Sequence, residues 1–300
     1  MNILSLFDGM SCGQIALDRV GIHVDNYFAS EIDAPAMKVA KHNWPSMKHV
    51  GDITKLKAED LPEIDLLIGG SPCQSFSIAG DGTGFDGKSG LFFEYVRLLQ
   101  ETKPKYFLLE NVLMKKEWEN KITKIMGVEP VFINSSLVSA QDRKRLYWTN
   151  IPGLTQPHNR GIVFRDIVSD DVESNSIIDR EKYPPNLRTP RRFNSNKPVR
   201  IGGYKKEGQG QRIYSADAKA ICQSALGGGW GAKGGLYMVN GVVRKPTRRE
   251  IESLQTVTAG YTDCTPYKDA AQMLGNGWTV DVIAHIFQPL RAIYEIKKAV

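Results

Sequence analysis

Apolar and polar positions fall into short alternating blocks along the first half of the chain. Residues 2–6 are an apolar run closing on Phe7-Asp8-Gly9, the pattern of a buried strand followed by a turn. Residues 14–20 carry Ile15, Ala16, Leu17 and Val20 at helical spacing on one face. The same reading predicts a strand at 27–30 closed by Glu31, a helix at 34–42, and a strand at 64–68 broken by Gly69-Gly70-Ser71-Pro72. A helix at 91–100 and a strand at 106–109, ended by Glu110-Asn111, complete the series. Strands alternating with helices predict a parallel α/β sheet with right-handed crossovers.

After Pro152 this rhythm stops. Residues 161–243 are rich in Gly, Ser, Asn, Pro and Arg, with short β-like pieces such as 235–239, and predict a smaller, loop-dominated module. Helical periodicity returns at Val280, Ile283, Ala284 and Phe287. The expected division is a first domain over 1–160, a second over 161–261, and a segment over 262–300 that returns to the first.

Composition narrows the class. The 300 residues are 41% hydrophobic and 24% charged, ordinary for a globular chain and too apolar for a mainly disordered one. No apolar run approaches the ~18–20 residues that span a bilayer. The N-terminal residues lack a basic region and reach Asp8 at once, so a soluble, intracellular protein is expected. Cys12, Cys73, Cys222 and Cys264 lie far apart with no Cys-x-x-Cys pair, which argues against a disulfide framework and a zinc site.

The net charge of +6 is unevenly spread. Residues 181–250 hold 15 Lys and Arg against 4 Asp and Glu, a net +11, which leaves −5 for the rest of the chain. A basic segment on a mildly acidic body points to a polyanion-facing module, nucleic acid first, with a solvated surface as the plainer reading.

Ligands of open α/β sheets sit at the carboxyl ends of the strands, where this sequence concentrates its informative residues. Phe7-Asp8-Gly9-Met10-Ser11-Cys12-Gly13 has glycines that permit close backbone approach, yet departs from the Gly-x-Gly-x-x-Gly dinucleotide fingerprint. Glu31 can accept ribose hydroxyls, with Asp33 serving the adjacent helix dipole and leaving Glu31 free. Asp52 can accept from an adenine amino group while Ile53 covers a ring face. Cys73 stands on a Pro-stiffened loop at a strand end, which suits a reactive thiol better than an inert buried one. A carboxyl after an apolar strand, as at Glu110, is partly desolvated and able to donate a proton. Arg143 and Arg145 are at i and i+2, on one side of an extended segment, where guanidinium groups either fix a carbonyl or form a surface patch.

Pro72-Cys73-Gln74, Glu110-Asn111-Val112 and Gln141-x-Arg143-x-Arg145 occur together in an order and spacing that resembles the DNA (cytosine-5)-methyltransferase family. Asp8-Gly9 with Gly13 resembles its opening motif and Gly275-Asn276-Gly277 its final one. Arg244-x-x-Thr247-x-Arg249-Glu250 with Leu254-Gln255 resembles the motif before that. The resemblance runs over nearly the whole chain. The first 73 residues are similar to the vertebrate de novo enzymes, and the compact size is closer to bacterial and phage enzymes. Two departures fall in the smaller module: no Pro follows the Leu-Gln pair, and the usual threonine before the recognition loop is replaced near Ile221-Cys222.

The resemblance implies a Rossmann-like, S-adenosylmethionine-dependent methyltransferase sheet with a smaller, loop-rich target-recognition domain. It implies double-stranded DNA as substrate, S-adenosyl-L-methionine as cofactor, no metal, action as a monomer, and a cognate restriction endonuclease as a candidate partner. Cys73, Glu110, Arg143 and Arg145 are the implied catalytic residues. Phe7, Asp8, Gly9, Gly13, Glu31, Ile32, Asp52, Ile53, Pro72, Leu91, Asn276 and Trp278 are the implied cofactor set. Gln74, Ser75, Arg212, Gly228, Gly229, Lys233, Arg244 and Arg248 are the expected DNA contacts, and the Gly-rich loop 74–89 is expected to close over a flipped base with Gly80, Gly82, Gly84 and Gly87 as hinges. The rival readings are a tRNA cytosine-5 methyltransferase, a non-catalytic DNA-binding relative, and a nicotinamide-dependent oxidoreductase, the last disfavoured by the fingerprint at Gly9 and Gly13.

Overall fold

The computed structural model describes residues 1–72 and 88–298, which fall into two compact units. The first comprises 1–133, 144–156 and 283–300; the second comprises 134–143 and 157–282. Residues 262–282, expected to return to the first domain, fall with the second unit. No described helix is long and apolar enough to cross a membrane.

The first unit is built on β1 (Asn2–Leu6), β2 (Asn26–Ser30), β3 (Lys48–His49), β4 (Leu66–Gly70), β5 (Tyr106–Val112), β6 (Val131–Asn134) and β7 (Lys144–Thr149), in the order β3-β2-β1-β4-β5-β7-β6. β1 to β5 pair in parallel, and β7 runs antiparallel to β5. The helices α1 (Cys12–Val20), α2 (Ala34–Asn43), α3 (Phe92–Thr102) and α4 (Lys116–Met126) connect the strands. Leu4, Leu6, Leu67, Leu109, Phe92 and Trp148 belong to one buried core. Strands covered on both faces explain why β1 and β4 read as continuous apolar runs. The order reverses between β1 and β4, which opens the ligand crevice of a doubly wound sheet at their carboxyl ends.

Three local choices set that crevice. α1 lies so close to the sheet that a Cβ on Gly13 would stand 2.3 Å from Ile68 Cδ1 and 3.0 Å from the Tyr27 hydroxyl. Gly13 therefore serves helix-to-sheet packing and is buried. β4 does not break at the glycines but runs through Gly69 and Gly70, paired with β1 and β5; a Cβ at Gly69 would stand 3.0 Å from Leu6 O and the Tyr95 ring, so glycine fits there. β5 likewise continues past Leu109, since β7 pairs with it at Glu110↔Tyr147 and Val112↔Arg145.

The second unit holds a five-stranded sheet in the order β12-β11-β10-β9-β8: β8 (Asn186–Leu187), β9 (Arg200–Gly203), β10 (Arg212–Ser215), β11 (Leu236–Val239) and β12 (Val242–Arg244). It also carries α5 (Arg248–Leu254) and α6 (Tyr267–Asn276), while α7 (Val280–Lys298) starts in this unit and ends in the first. One core places Phe164 on Tyr237 with ring centroids 3.9 Å apart; another gathers Ile178, Tyr204, Ile213, Leu236 and Val243. The segment read as loop-dominated is thus organised around a sheet.

Candidate active site

In the first unit the functional side chains arise where the strands end. The turn after β1 is strained: Phe7, Gly9 and Ser11 all adopt positive φ (56°, 61° and 69°). It is held by Glu31. The Gly9 N–H donates to Glu31 Oε2 (2.8 Å), and the Ile32 and Asp33 N–H groups donate to Oε1 (2.7 and 2.8 Å). The expectation that Asp33 would leave Glu31 free is corrected: the Asp33 side chain makes no cap bond to α2, and Glu31 takes the Gly9, Ile32 and Asp33 backbone donors.

Asp8 points inward. Its carboxylate accepts from Ser11 Oγ (2.5 Å) and the Tyr27 hydroxyl (2.7 Å). Burial pushes its pKa up to about 6; hydrogen bonds from Ser11, Ser5 and Tyr27 pull it down, and the Glu31 charge adds to the rise. A raised carboxyl pKa means that the folded state holds its proton more tightly than the unfolded chain. Asp8 therefore supports the fold below about pH 4, and this support is lost as pH rises through about 6. Asp8→Asn is expected to stabilise the protein by about 1 kcal/mol more near pH 8 than near pH 5. Denaturant unfolding at both pH values checks this; an equal effect at the two contradicts it.

Asp52 uses Oδ1 to cap the turn after it, accepting from Thr54 N (3.0 Å) and Thr54 Oγ1 (2.9 Å), and these bonds lower its pKa. Ile53 does not offer a ring face: its side chain is buried in the core with Leu56 and Leu98. Ile32 does, at 73% exposure. Phe7 and Leu91 pack partly against the same core, and Pro72 follows β4 half-buried.

At the end of β5, Glu110 is buried and pairs with Gly70 of β4 in the sheet register. Its Oε1 lies 2.8 Å from Arg145 Nε, brought there by β7. The carboxyl therefore shares its setting with a guanidinium rather than facing apolar atoms alone. Arg145 also donates from Nη1 to Lys144 O (2.8 Å). Beside this pair, the buried Asn111 side chain donates from Nδ2 to Ser71 Oγ (3.1 Å) and Ser71 O (3.3 Å). This ties β5 to the backbone just before Pro72. The positioning role of Asn111 was visible in sequence only as part of the Glu-Asn-Val motif. Cys73, Gln74, Ser75 and the expected hinge glycines lie outside the described residues.

Arg143 lies in the second unit. It is 2% exposed; Nη1 donates to Gln223 O (3.1 Å) and contacts Cys222 Sγ (3.4 Å), while Nη2 donates to Gly275 O (3.2 Å) and Gly277 O (2.8 Å). Gln141 bonds Leu254 O and Gln255 Oε1 (3.0 Å), and accepts from the Gln223 N–H (3.2 Å). Gln255 in turn donates to Leu274 O (2.6 Å) and accepts from Thr279 Oγ1 (2.8 Å). A Cβ at Gly275 would meet the Ser224 and Ala225 backbone at 2.4–2.5 Å. Three sequence motifs thus meet in one buried polar hub, and Arg143 is a positioning residue there, a correction to its reading as a group that holds substrate. Asn276, exposed, and Trp278, half-buried, belong to this unit.

One expected DNA contact, Arg244, is corrected by burial. Arg244 is 2% exposed and forms a bidentate pair with the fully buried Glu250 (2.6 and 2.7 Å), whose carboxylate also caps α5 through Thr247 N. Arg248 donates to Thr262 O (2.8 Å) and lies 3.8 Å from Asp263. The Arg244 guanidinium, satisfied by Glu250 inside the protein, does not also neutralise a phosphate, whereas Arg248 is only half-buried. Lys233 is half-buried, donates to Lys268 O (3.1 Å), and its pKa is lowered by desolvation and by Lys268. Gly228 and Gly229 are exposed, on a loop whose Gly228 carbonyl would lie 1.9 Å from a Cβ at Gly210.

The family model of C-5 cytosine-specific DNA methylases matches residues 1–292. The chain belongs to the C-5 cytosine-specific DNA methylase family. It is 31% identical over 309 residues to the Type II methyltransferase M.HhaI of Haemophilus parahaemolyticus, which covers 95% of this chain and 93% of that one. It is 45% identical over 161 residues to the orphan methyltransferase M.SPRI of Bacillus phage SPR, covering 49% of this chain and 37% of that one. The solved Entamoeba histolytica methyltransferase EhMeth superposes with TM-score 0.73 at 18% identity over 97% of both chains. A putative DNA modification methyltransferase of an E. coli prophage gives 0.66 at 18%, over 98% and 99%. At these identities the structures speak to the fold, a mixed α/β methyltransferase fold with a central sheet. As a member of this DNA methylase family, the chain is an enzyme of the DNA cytosine-5 methyltransferase class.

Proposed function

We propose that this DNA methylase transfers a methyl group from S-adenosylmethionine to carbon 5 of cytosine in a specific double-stranded sequence, with the base flipped out and bonded transiently to Cys73. The Glu110–Arg145 pair carries this reading: it stands at the strand ends beside Gly70, where Asn111 bonds Ser71, two residues before Cys73 in the sequence.

The ends of β1, β2 and β3 suit a nucleoside-bearing cofactor, with a Glu31 carboxylate beside Gly9, an open apolar face at Ile32 and an acid at Asp52. In this reading Phe7, Gly9, Glu31, Ile32, Asp52, Pro72 and Leu91 hold S-adenosylmethionine. When bound, it supplies a methyl group on a positively charged sulfur.

Carbon 5 of cytosine is a weak nucleophile. Addition of the Cys73 thiolate to carbon 6 makes carbon 5 enamine-like and able to take the methyl group. Glu110 donates its proton to ring nitrogen 3 as the adduct forms, so that negative charge does not accumulate on the ring. Arg145 holds the carbonyl oxygen at position 2 through a charge-assisted bond. A base, water in this reading, then removes the proton from carbon 5; the carbon–sulfur bond breaks, nitrogen 3 returns its proton to Glu110, and Cys73 is regenerated. Carbon 6 is out of reach in a stacked duplex, and flipping costs a few kcal/mol. Gln74, Ser75, Arg212, Gly228, Gly229 and Lys233 are assigned to DNA contact in this reading. The enzyme acts as a monomer in a bacterial or phage-infected cytoplasm, and the type II name of the M.HhaI relative suggests a cognate restriction endonuclease as partner.

Plasmid DNA from cells expressing the chain is expected to show bisulfite-resistant cytosines at one recurrent sequence. Methyl transfer to tRNA, with none to duplex DNA, would overturn the DNA reading.

A further inference from the structure

Residues 182–216 hold nine Lys and Arg and a single carboxylate, Glu207. The structure brings two of these arginines onto that carboxylate from different elements. Arg188, just after β8, and Arg200, at the start of β9, both donate an Nη2 hydrogen to Glu207 Oε2. Arg212, at the start of β10, donates from Nε to the Glu207 backbone carbonyl (3.3 Å). The group is open to solvent, with side-chain exposures of 50% for Arg188 and 33% for Arg200. A shallow cavity of about 410 Å³, lined by Leu187, Arg188, Thr189, Pro190 and Ile201, opens beside it. Lys182, Arg191, Arg192, Lys197, Lys205 and Lys206 are exposed along the same stretch.

Two features make Glu207 an awkward structural partner. It sits on a tight turn in which both Lys205 and Glu207 have positive φ (50° and 55°), a conformation that costs energy in non-glycine residues. One carboxylate oxygen also serves both guanidinium groups. A phosphodiester offers two anionic oxygens, one for each arginine, and Arg forks match that geometry well.

We propose that Arg188 and Arg200 form a clamp for one DNA backbone phosphodiester, and that Glu207 fills this clamp in the free protein as a built-in competitor. The inference rests on the DNA reading above and adds a phosphate contact on the β8–β9 side of the second unit. On binding, the phosphate displaces the Glu207 carboxylate into solvent. The clamp is sequence-independent, so it sets affinity and salt dependence rather than the recognised site.

The test is binding of a fluorescein-labelled duplex by anisotropy across about 50–200 mM salt. E207Q keeps the side-chain volume and removes the competing charge. It is expected to bind about three- to tenfold tighter than wild type, and the gain should vanish in the R188Q/R200Q background. Unchanged or weaker binding by a folded E207Q, or a gain that survives loss of both arginines, overturns the clamp. If E207Q fails to fold, E207D withdraws the carboxylate by one methylene and carries the same expectation. Inorganic phosphate at constant ionic strength should leave the duplex bound; its displacement from E207Q would assign the site to a free anion and overturn the clamp. The assay needs neither cofactor nor chemistry. Wild-type protein that neither binds nor methylates duplex DNA fails the function proposed above, whereas active wild type with an unimproved E207Q fails the clamp alone.

Discussion

Replacing Glu110 by Gln is expected to slow methyl transfer to duplex DNA by about 10²–10⁴-fold, with DNA affinity unchanged. The substitution preserves size and one acceptor, and removes the proton that nitrogen 3 needs while the adduct forms. Glu110 is buried between β4 and β7 and paired with Arg145 at 2.8 Å, so Gln fits the space and the loss is read in turnover rather than in folding. Arg145→Lys is a companion: it keeps the charge and loses the planar fork. Single-turnover methylation separates the chemical step from binding. A fall of less than about tenfold in the Gln variant would remove Glu110 from the proposed role.

Arg143→Met is expected to destabilise the second unit by about 3–5 kcal/mol. The guanidinium is buried and satisfies the carbonyls of Gln223, Gly275 and Gly277, which approach from distant parts of the chain. Methionine fills much of the volume and leaves those carbonyls without a donor, and each such orphan costs about 1–3 kcal/mol. A domain is stable by only about 5–15 kcal/mol, so the variant loses a large share of its margin. Denaturant unfolding measures the difference. A change below about 1 kcal/mol would show that the hub is dispensable.

These two expectations mark what local pattern reveals and what it hides. β1, β2, α1 and α2 were legible because buried strands and one-faced helices leave a periodic trace within a few residues. α4 left little trace, since in its sequence, Lys116–Met126, only Ile122 and Met126 are buried. β7 was only partly legible: Arg145 reads with Arg143 as a basic pair on an extended segment, and its place beside β5 comes from the fold. The extension of β5 to Asn111 and Val112 depends on β7 as neighbour, a pairing across about 35 residues that no local window contains.

The site shows the same division. Residue types at strand ends pointed to Glu31, Asp52 and Glu110, because sheet topology fixes where ligands gather. Their hydrogen-bond partners were not legible. Glu31 was expected to be free and instead holds three N–H groups. Arg244 was counted in a basic segment although Glu250 neutralises it inside the protein. Charge counting registers sign and number, whereas pairing is a property of the fold.

The central claim is that the Cys73 sulfur bonds to carbon 6 of the target base, and a duplex carrying 5-fluorocytosine at the target position tests it most directly. After methyl transfer the fluorine cannot leave as a cation, so the adduct cannot resolve. Incubation with S-adenosylmethionine should yield a denaturation-resistant protein–DNA complex whose tryptic mass maps to the peptide containing Cys73. Methylation of the ordinary cytosine duplex, with no trapped complex on the fluorinated one, would contradict the claim.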